Sequence, residues 1–264
     1  MKVFGIWLLL AAPGAAMEVS DLSALPAADV VLLGEIHDNP AHHRNQAAAV
    51  AALQPNALVF EMLTPQQASR ITPVNRADPG LGAVLGWDAA GWPDFAMYQP
   101  ILTAAPEASV YGAALDPDAL KGRRDAASVA ALFPDPAYGL AQPLDPADQA
   151  AREADQAAAH CDALPPDLLP YMVAVQRLRD ARFAATAVQA LQETGGPVVV
   201  ITGSGHTRRD QGIPAALALA APSVRVLAVG QLEADPGPDA PYDLWLVTDP
   251  TPRPDPCAAF GTGN

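Results

Sequence analysis

The sequence predicts an α/β protein: a mostly parallel sheet flanked by helices, with a smaller helical insertion domain. Short apolar runs recur as VVLL at 30–33, ALVF at 57–60, SVYGAA at 109–114, PVVVIT at 197–202, VRVLAV at 224–229 and YDLWLV at 242–247. Their length and composition suit buried strands, and helical patterns between them give the alternation of a sheet covered on both faces. Between the third and fourth runs, an Ala-rich, polar stretch carries helical patterning and no strand signal. Half of the 264 residues are apolar, ample for a real core, and 28 prolines with 19 glycines stay below the roughly 25–30% of low-complexity chains.

The first feature along the chain is Met1-Lys2 followed by the apolar run VFGIWLLLAA and the small residues Gly14, Ala15 and Ala16. This order of charge, apolar stretch and small residues reads as a signal peptide over 1–17. The chain carries no lipobox cysteine in this region, and no later stretch reaches the ~18 apolar residues of a membrane span. The expected destination is therefore export, to a periplasm or similar space. Cys161 and Cys257 are the two cysteines; in an oxidising compartment they can form a disulfide, the alternative being two free thiols.

Val30–Leu33 stops at Gly34, and Asp38-Asn39-Pro40 supplies a cap and first-turn proline for a helix over about 41–54. Ala57–Phe60 ends at Glu61, and Thr64-Pro65 opens a helix through about Ile71. Residues 73–107, broken by five prolines and several glycines around Trp87 and Trp92, read as a structured loop or small subdomain. Within the polar stretch, a long helix is expected from Pro166 to Gln192 on the apolar spacing of Leu168, Met172, Val175, Leu178, Ala185, Val188 and Leu191. The expected organisation is an α/β domain of 18–116 and 193–264 and a helical insertion, or cap, of 117–192.

A formal net charge of −14 and a pI near 4.5 argue against nucleic acid or anionic lipid as a partner. The chemistry concentrates in GEIHDNPAHH at 34–43, where a strand ends and a helix begins. Glu35 and His37 are two apart and point to one side of an extended chain, while His42 and His43 fall on the first helical turn. A helix N-terminus favours neutral imidazole, the form that accepts a proton or binds a metal. A second group, TGSGH at 202–206, precedes Arg208, Arg209 and Asp210. In a parallel sheet the carboxyl ends of the strands form the binding edge, so Glu35, His37, Glu61, Asp116 and His206 converge there from four strand ends. Such a group can bind metal or perform acid-base work. Helix capping by Glu35 and Asp38, a solvated His42-His43 turn and a plain GSG turn are the structural alternatives. GSGH does not fit the nucleophile-elbow spacing, which argues against Ser204 as a nucleophile.

The segments VLLGEIHDNPAHHRNQ at 31–46, HCDALP at 160–165, QRLRDARFA at 176–184 and ITGSGHTRRDQGIPAAL at 201–217, in that order, resemble the ChaN-like haem-binding uptake family of the Tiki and erythromycin-esterase-like superfamily. The resemblance covers most of the chain beyond residue 17. It implies an exported haem-binding protein of bacterial haem and iron acquisition, with haem iron held by Tyr assisted by His. Tyr98 and Tyr171 are the tyrosines placed for a pocket, Tyr111 and Tyr242 lie in strands, and Tyr138 sits in a proline-flanked loop. His42, His43 and His206 are the candidate assisting histidines, and Arg208 and Arg209 can pair with haem propionates. The implied partners are haem, an outer-membrane haem receptor or periplasmic transport system, and a second copy in a homodimer. The alternative is a metal-dependent hydrolase, with Glu35, His37, Glu61 and His206 as catalytic residues and Glu35, His37 and His206 on a divalent metal ion.

Overall fold

Strand β2 (Val30–Glu35) is buried along its whole length and forms the centre of the sheet. The computed structural model describes residues 16–116 and 118–259. In chain order, β1 (Met17–Glu18) and β2 precede α1 (Pro40–Leu53), β3 (Ala57–Phe60), α2 (Pro65–Ala68), α3 (Leu81–Leu85), α4 (Phe95–Ala104) and β4 (Ser109–Gly112). They are followed by α5 (Ala126–Ala130), α6 (Pro146–Ala159), α7 (Leu169–Thr194), β5 (Val198–Gly203), α8 (Ile213–Ala220), β6 (Val226–Leu232) and β7 (Leu244–Val247). The described strands form one sheet of order β1-β7-β6-β2-β5-β3-β4, with every pairing parallel.

Helices cover both faces. Val31, Leu33, Leu58, Phe60, Val199 and Ile201 face one layer, packed with residues of α1 and α4. Val30, Leu32, Val59, Val198 and Val200 face Phe183, Ala184, Ala187 and Ala190 of α7 and Leu217 of α8. The alternation of faces along each strand follows from its two-residue period. The N-terminal half of α7 packs elsewhere: Ala174, Val175 and Leu178 enclose Val129 of α5. The helix therefore packs on α5 at one end and on the sheet at the other, and residue 192, the expected boundary, lies within it. Its own start is Leu169, after a 3-10 turn at Pro166–Leu168.

Most expected elements appear within a few residues. Two differ in kind. The segment 73–107 contains a ten-residue helix, α4, capped by the Asp94 side chain and packed on α1, despite Pro100 in its interior. The helix expected through Ile71 starts at a reciprocal Thr64–Gln67 capping box, as Thr64-Pro65 suggested, but stops at Ala68. The signal-peptide expectation lies outside the described residues except at Ala16 and Met17, where Met17 pairs with Leu244 of β7. Cys161 and Cys257 form a disulfide. No helix among the described residues is long and apolar enough to cross a membrane.

Candidate functional site

The strand order reverses direction at β2, since β5 and β3 lie on one side and β6 and β7 on the other. Ligands of open α/β sheets bind at the carboxyl edge of such a point. Register fixes what meets there: Glu35 at the end of β2 lies beside Gly203 at the end of β5, and Phe60 lies beside Ile201, leaving Glu61 against Thr202. Gly34 is required by the close approach of the following turn. A Cβ at this position would lie 2.6 Å from Ser204 Oγ and 2.8 Å from the Val229 carbonyl oxygen.

Two imidazole–carboxylate pairs stand on either side of Glu61. His37 Nδ1 donates to Glu35 Oε1 at 2.7 Å, and Glu35 also accepts from Tyr98 Oη at 2.7 Å and Gln46 Nε2 at 2.8 Å. His206 Nδ1 lies 2.7 Å from Asp180 Oδ1, a buried carboxylate on α7. Glu61 accepts from Thr202 Oγ1 at 2.7 Å and from the Gly203 amide at 2.8 Å. From Glu61 Oε1, His37 Nε2 is 4.0 Å away and His206 Nε2 is 3.6 Å away. The His37 side chain is 34% exposed, against 8% for His206. Trp92 meets the His37 ring edge-on at 5.0 Å, and Phe183 meets His206 at 4.9 Å.

The charges explain the titration of the group. Burial opposes an imidazolium at His37, but the Glu35 hydrogen bond and the Glu61 charge outweigh it, so its pKa is raised. His206 is likewise raised, because Glu61 and Asp180 together overcome its burial. Burial works to raise Glu61, yet His206, His37 and the Gly203 amide hold it below the usual carboxylate range. Asp180 is raised by its burial.

His42 and His43 are fully buried. The Ile36 amide donates to His42 Nδ1 at 2.8 Å, which leaves Nε2 to donate to Thr248 Oγ1 at 2.9 Å. Burial lowers the His42 pKa to about 4. His43 Nε2 donates to the His37 carbonyl at 2.8 Å, so His43 supports the His37 loop. The pair is neither the solvated turn of the structural alternative nor open to a ligand as the candidate assisting histidines would need to be; it is an internal brace. Tyr98 is also fully buried, and burial together with the Glu35 charge drives its pKa upward. A phenol held this way is a hydrogen-bond donor and poorly suited to be a phenolate iron ligand. Tyr171 lies apart, packed against the α5–α7 cluster.

Arg208 is paired with Asp210 at 2.7 Å and Asp155 at 3.2 Å, and Arg209 with Asp243 at 2.6 Å. Ser204 Oγ donates to the Gln231 carbonyl at 2.8 Å, a structural bond in a buried turn. Asp38 does not cap α1; Asn39 does, while Asp38 pairs with Arg253 at 2.7 Å. Among the described residues no group of three or more His, Cys, Asp or Glu side chains is arranged to hold a metal ion.

A cleft of about 940 Å³ opens beside Glu61. Its walls include Met62, Leu85, Trp92, Leu115, Leu120 and Phe183, with Asp116, Arg70, Arg179 and Arg182 as charged groups. Asp180 and the Tyr98–Glu35 bond are the contributions the sequence reading missed. A carboxylate on the packed face of a long helix is the signal that marks Asp180.

The family model described as haem-binding uptake, Tiki superfamily, ChaN matches residues 22–217. Among solved structures, the chain is similar to ChaN of Campylobacter jejuni, described as binding haem cofacially, at 21% identity over 81% of this chain and 86% of that one, with a TM-score of 0.58. That likeness shows the fold. The type III effector HopBA1 is 13% identical over 84% of this chain and 88% of that one, with a TM-score of 0.43. The erythromycin esterase EreC is 12% identical over 81% of this chain and 74% of that one, with a TM-score of 0.42. No curated protein matches the chain.

Proposed function

The chain belongs to the haem-binding uptake, Tiki superfamily, ChaN family, and from that membership we propose that it binds haem in the cleft beside Glu61, with His37 as the iron ligand. The observation that carries the choice of residue is the His37 ring: Nδ1 is fixed by Glu35 at 2.7 Å, while Nε2 is 4.0 Å from Glu61, beyond hydrogen-bond distance, on a side chain that is 34% exposed. A carboxylate on the far nitrogen sets the tautomer and orientation of a ligating imidazole and raises its basicity. Haem supplies the iron for that bond, as with the proximal histidine of other haem proteins.

The remaining residues suit the group. The cleft volume falls within the roughly 300–1,000 Å³ of cofactor sites, and its walls combine apolar side chains with a few charged ones. Tyr98 and Gln46 hold Glu35, Glu35 holds His37, and His43 holds the His37 backbone. A Cβ at residue 203 would stand 3.3 Å from His37 Nε2, so Gly203 keeps the ring's place clear.

The proposed setting is export to a periplasm for haem and iron acquisition, with a receptor or transport system of that compartment, and a second copy of the chain, as partners. The Cys161–Cys257 disulfide supports that setting, because reducing cytosol keeps such thiols apart. Titration of haemin into the purified protein, followed by absorbance, tests the binding. A saturable Soret shift is expected; its absence would overturn the reading.

One observation favours a second reading, a hydrolase. The His206–Asp180 pair beside Glu61 is a base oriented by a carboxylate, an arrangement able to activate water. Ester hydrolysis abolished by His206→Ala, in a protein that gives no Soret shift, would establish it instead.

A further inference from the structure

We propose that Arg179 and Arg182 form the anion subsite of the cleft and receive the paired carboxylates of a bound tetrapyrrole, an inference that rests on the haem-binding reading. The two residues are three apart on α7, which places them on one face of the helix, and both line the cleft. Arg182 also borders a second recess of about 310 Å³, against Tyr111 and Gln189, so the residue lines both cavities.

Arg182 is unsatisfied in a way the other arginines near the site are not. Its Nε is buried without a hydrogen-bond partner among the described residues, and burial alone lowers its pKa, with no carboxylate acting to raise it. A half-buried cation without a counter-ion is costly and is stabilised by an anion that brings hydrogen-bond acceptors. Glu61 cannot serve, because Thr202, Gly203 and the two imidazoles already engage it. Arg208 and Arg209, the arginines first suggested by sequence, are already paired with Asp210, Asp155 and Asp243. A planar guanidinium matches a carboxylate in a two-pronged geometry, and two of them on one wall match two carboxylates on one edge of a ligand.

The test separates the arginines from the iron by using a porphyrin without metal. Protoporphyrin IX and its dimethyl ester are titrated into wild type, Arg179→Met, Arg182→Met and His37→Ala, followed by tryptophan quenching, beside haemin followed by the Soret band. Methionine keeps the apolar stem and removes the charge. We expect each arginine variant to bind protoporphyrin IX at least tenfold more weakly, the ester to bind all four proteins equally weakly, and His37→Ala to retain wild-type affinity for the metal-free ligand. We also expect ligand-free Arg182→Met to melt no lower than wild type, whereas a structural guanidinium would lower the melting temperature.

Wild-type affinity for protoporphyrin IX in both arginine variants would overturn the inference while leaving haem binding in place if the Soret shift persists. Arginine-dependent porphyrin binding without a haemin shift would support the subsite and overturn His37 as the ligand. Failure to bind either porphyrin or haemin would overturn both.

Discussion

Glu35 connects the chemistry of the site to its stability. It accepts from His37, Tyr98 and Gln46, all within 2.8 Å. Replacing Tyr98 by Phe leaves a buried carboxylate short of one donor and is expected to cost about 1–3 kcal/mol of unfolding free energy. Haemin binding should survive in that variant, because the phenol is not the proposed ligand; urea unfolding and a haemin titration check the two statements separately. The His206–Asp180 pair makes another prediction. Asp180→Asn removes one of the two charges that raise the His206 pKa, so its imidazole midpoint in an NMR titration should move down. His42 gives a pH dependence of known sign. Its folded pKa of about 4 lies below the ordinary 6.5, so the unfolded state takes up a proton first on acidification. Its contribution is complete above pH 6.5 and is lost between 6.5 and about 4, at up to about 1.4 kcal/mol per pH unit. His37 and His206, shifted upward, act in the opposite direction as pH rises above 6.5. A urea midpoint that falls less steeply below pH 6.5 in His42→Gln than in wild type would bear out the assignment.

At the scale of elements, β2 and the turn after β5 must approach closely for the two imidazole–carboxylate pairs to meet. Gly34→Ala is therefore expected to destabilise the fold by about 1–3 kcal/mol through crowding of Ser204 and the Val229 carbonyl, as measured by thermal or urea unfolding. The strands were legible because the apolar runs are short and most are rich in Val or Leu and stop at a glycine or an acidic residue. Glu35, His37, Glu61 and His206 were legible for a related reason, since a parallel sheet sends its strand ends to one edge. Helix α4 was hidden by Pro100 and the glycines before it, and tertiary packing on α1 overrides that local signal. The roles of Tyr98 and Asp180 depend on contacts with residues 63 and 26 positions away, which local patterns do not encode. The same holds for His42 and His43: their place on the first helical turn made them candidate assisting histidines, but their bonds to Thr248 and the His37 carbonyl turn them inward.

Across the whole molecule, the C-terminal tail links the segment after α6 to the loop after β2. Arg253 reaches Asp38 and Glu233, Asn39 donates to the Asp249 carbonyl, and Cys257 is joined to Cys161 beyond α6. The disulfide closes a separation of 96 residues, for which chain entropy gives up to about 4–5 kcal/mol. Cys161→Ser with Cys257→Ser should accordingly lower the melting temperature, while reductant should lower that of wild type and leave the double variant unchanged. Electron paramagnetic resonance of the ferric, haem-loaded protein reads the proposed ligation of haem iron by His37 directly. An imidazole-ligation signature is expected in wild type and Tyr98→Phe and should disappear in His37→Ala. A tyrosinate signature in wild type, or an imidazole signature that persists in His37→Ala, would contradict it.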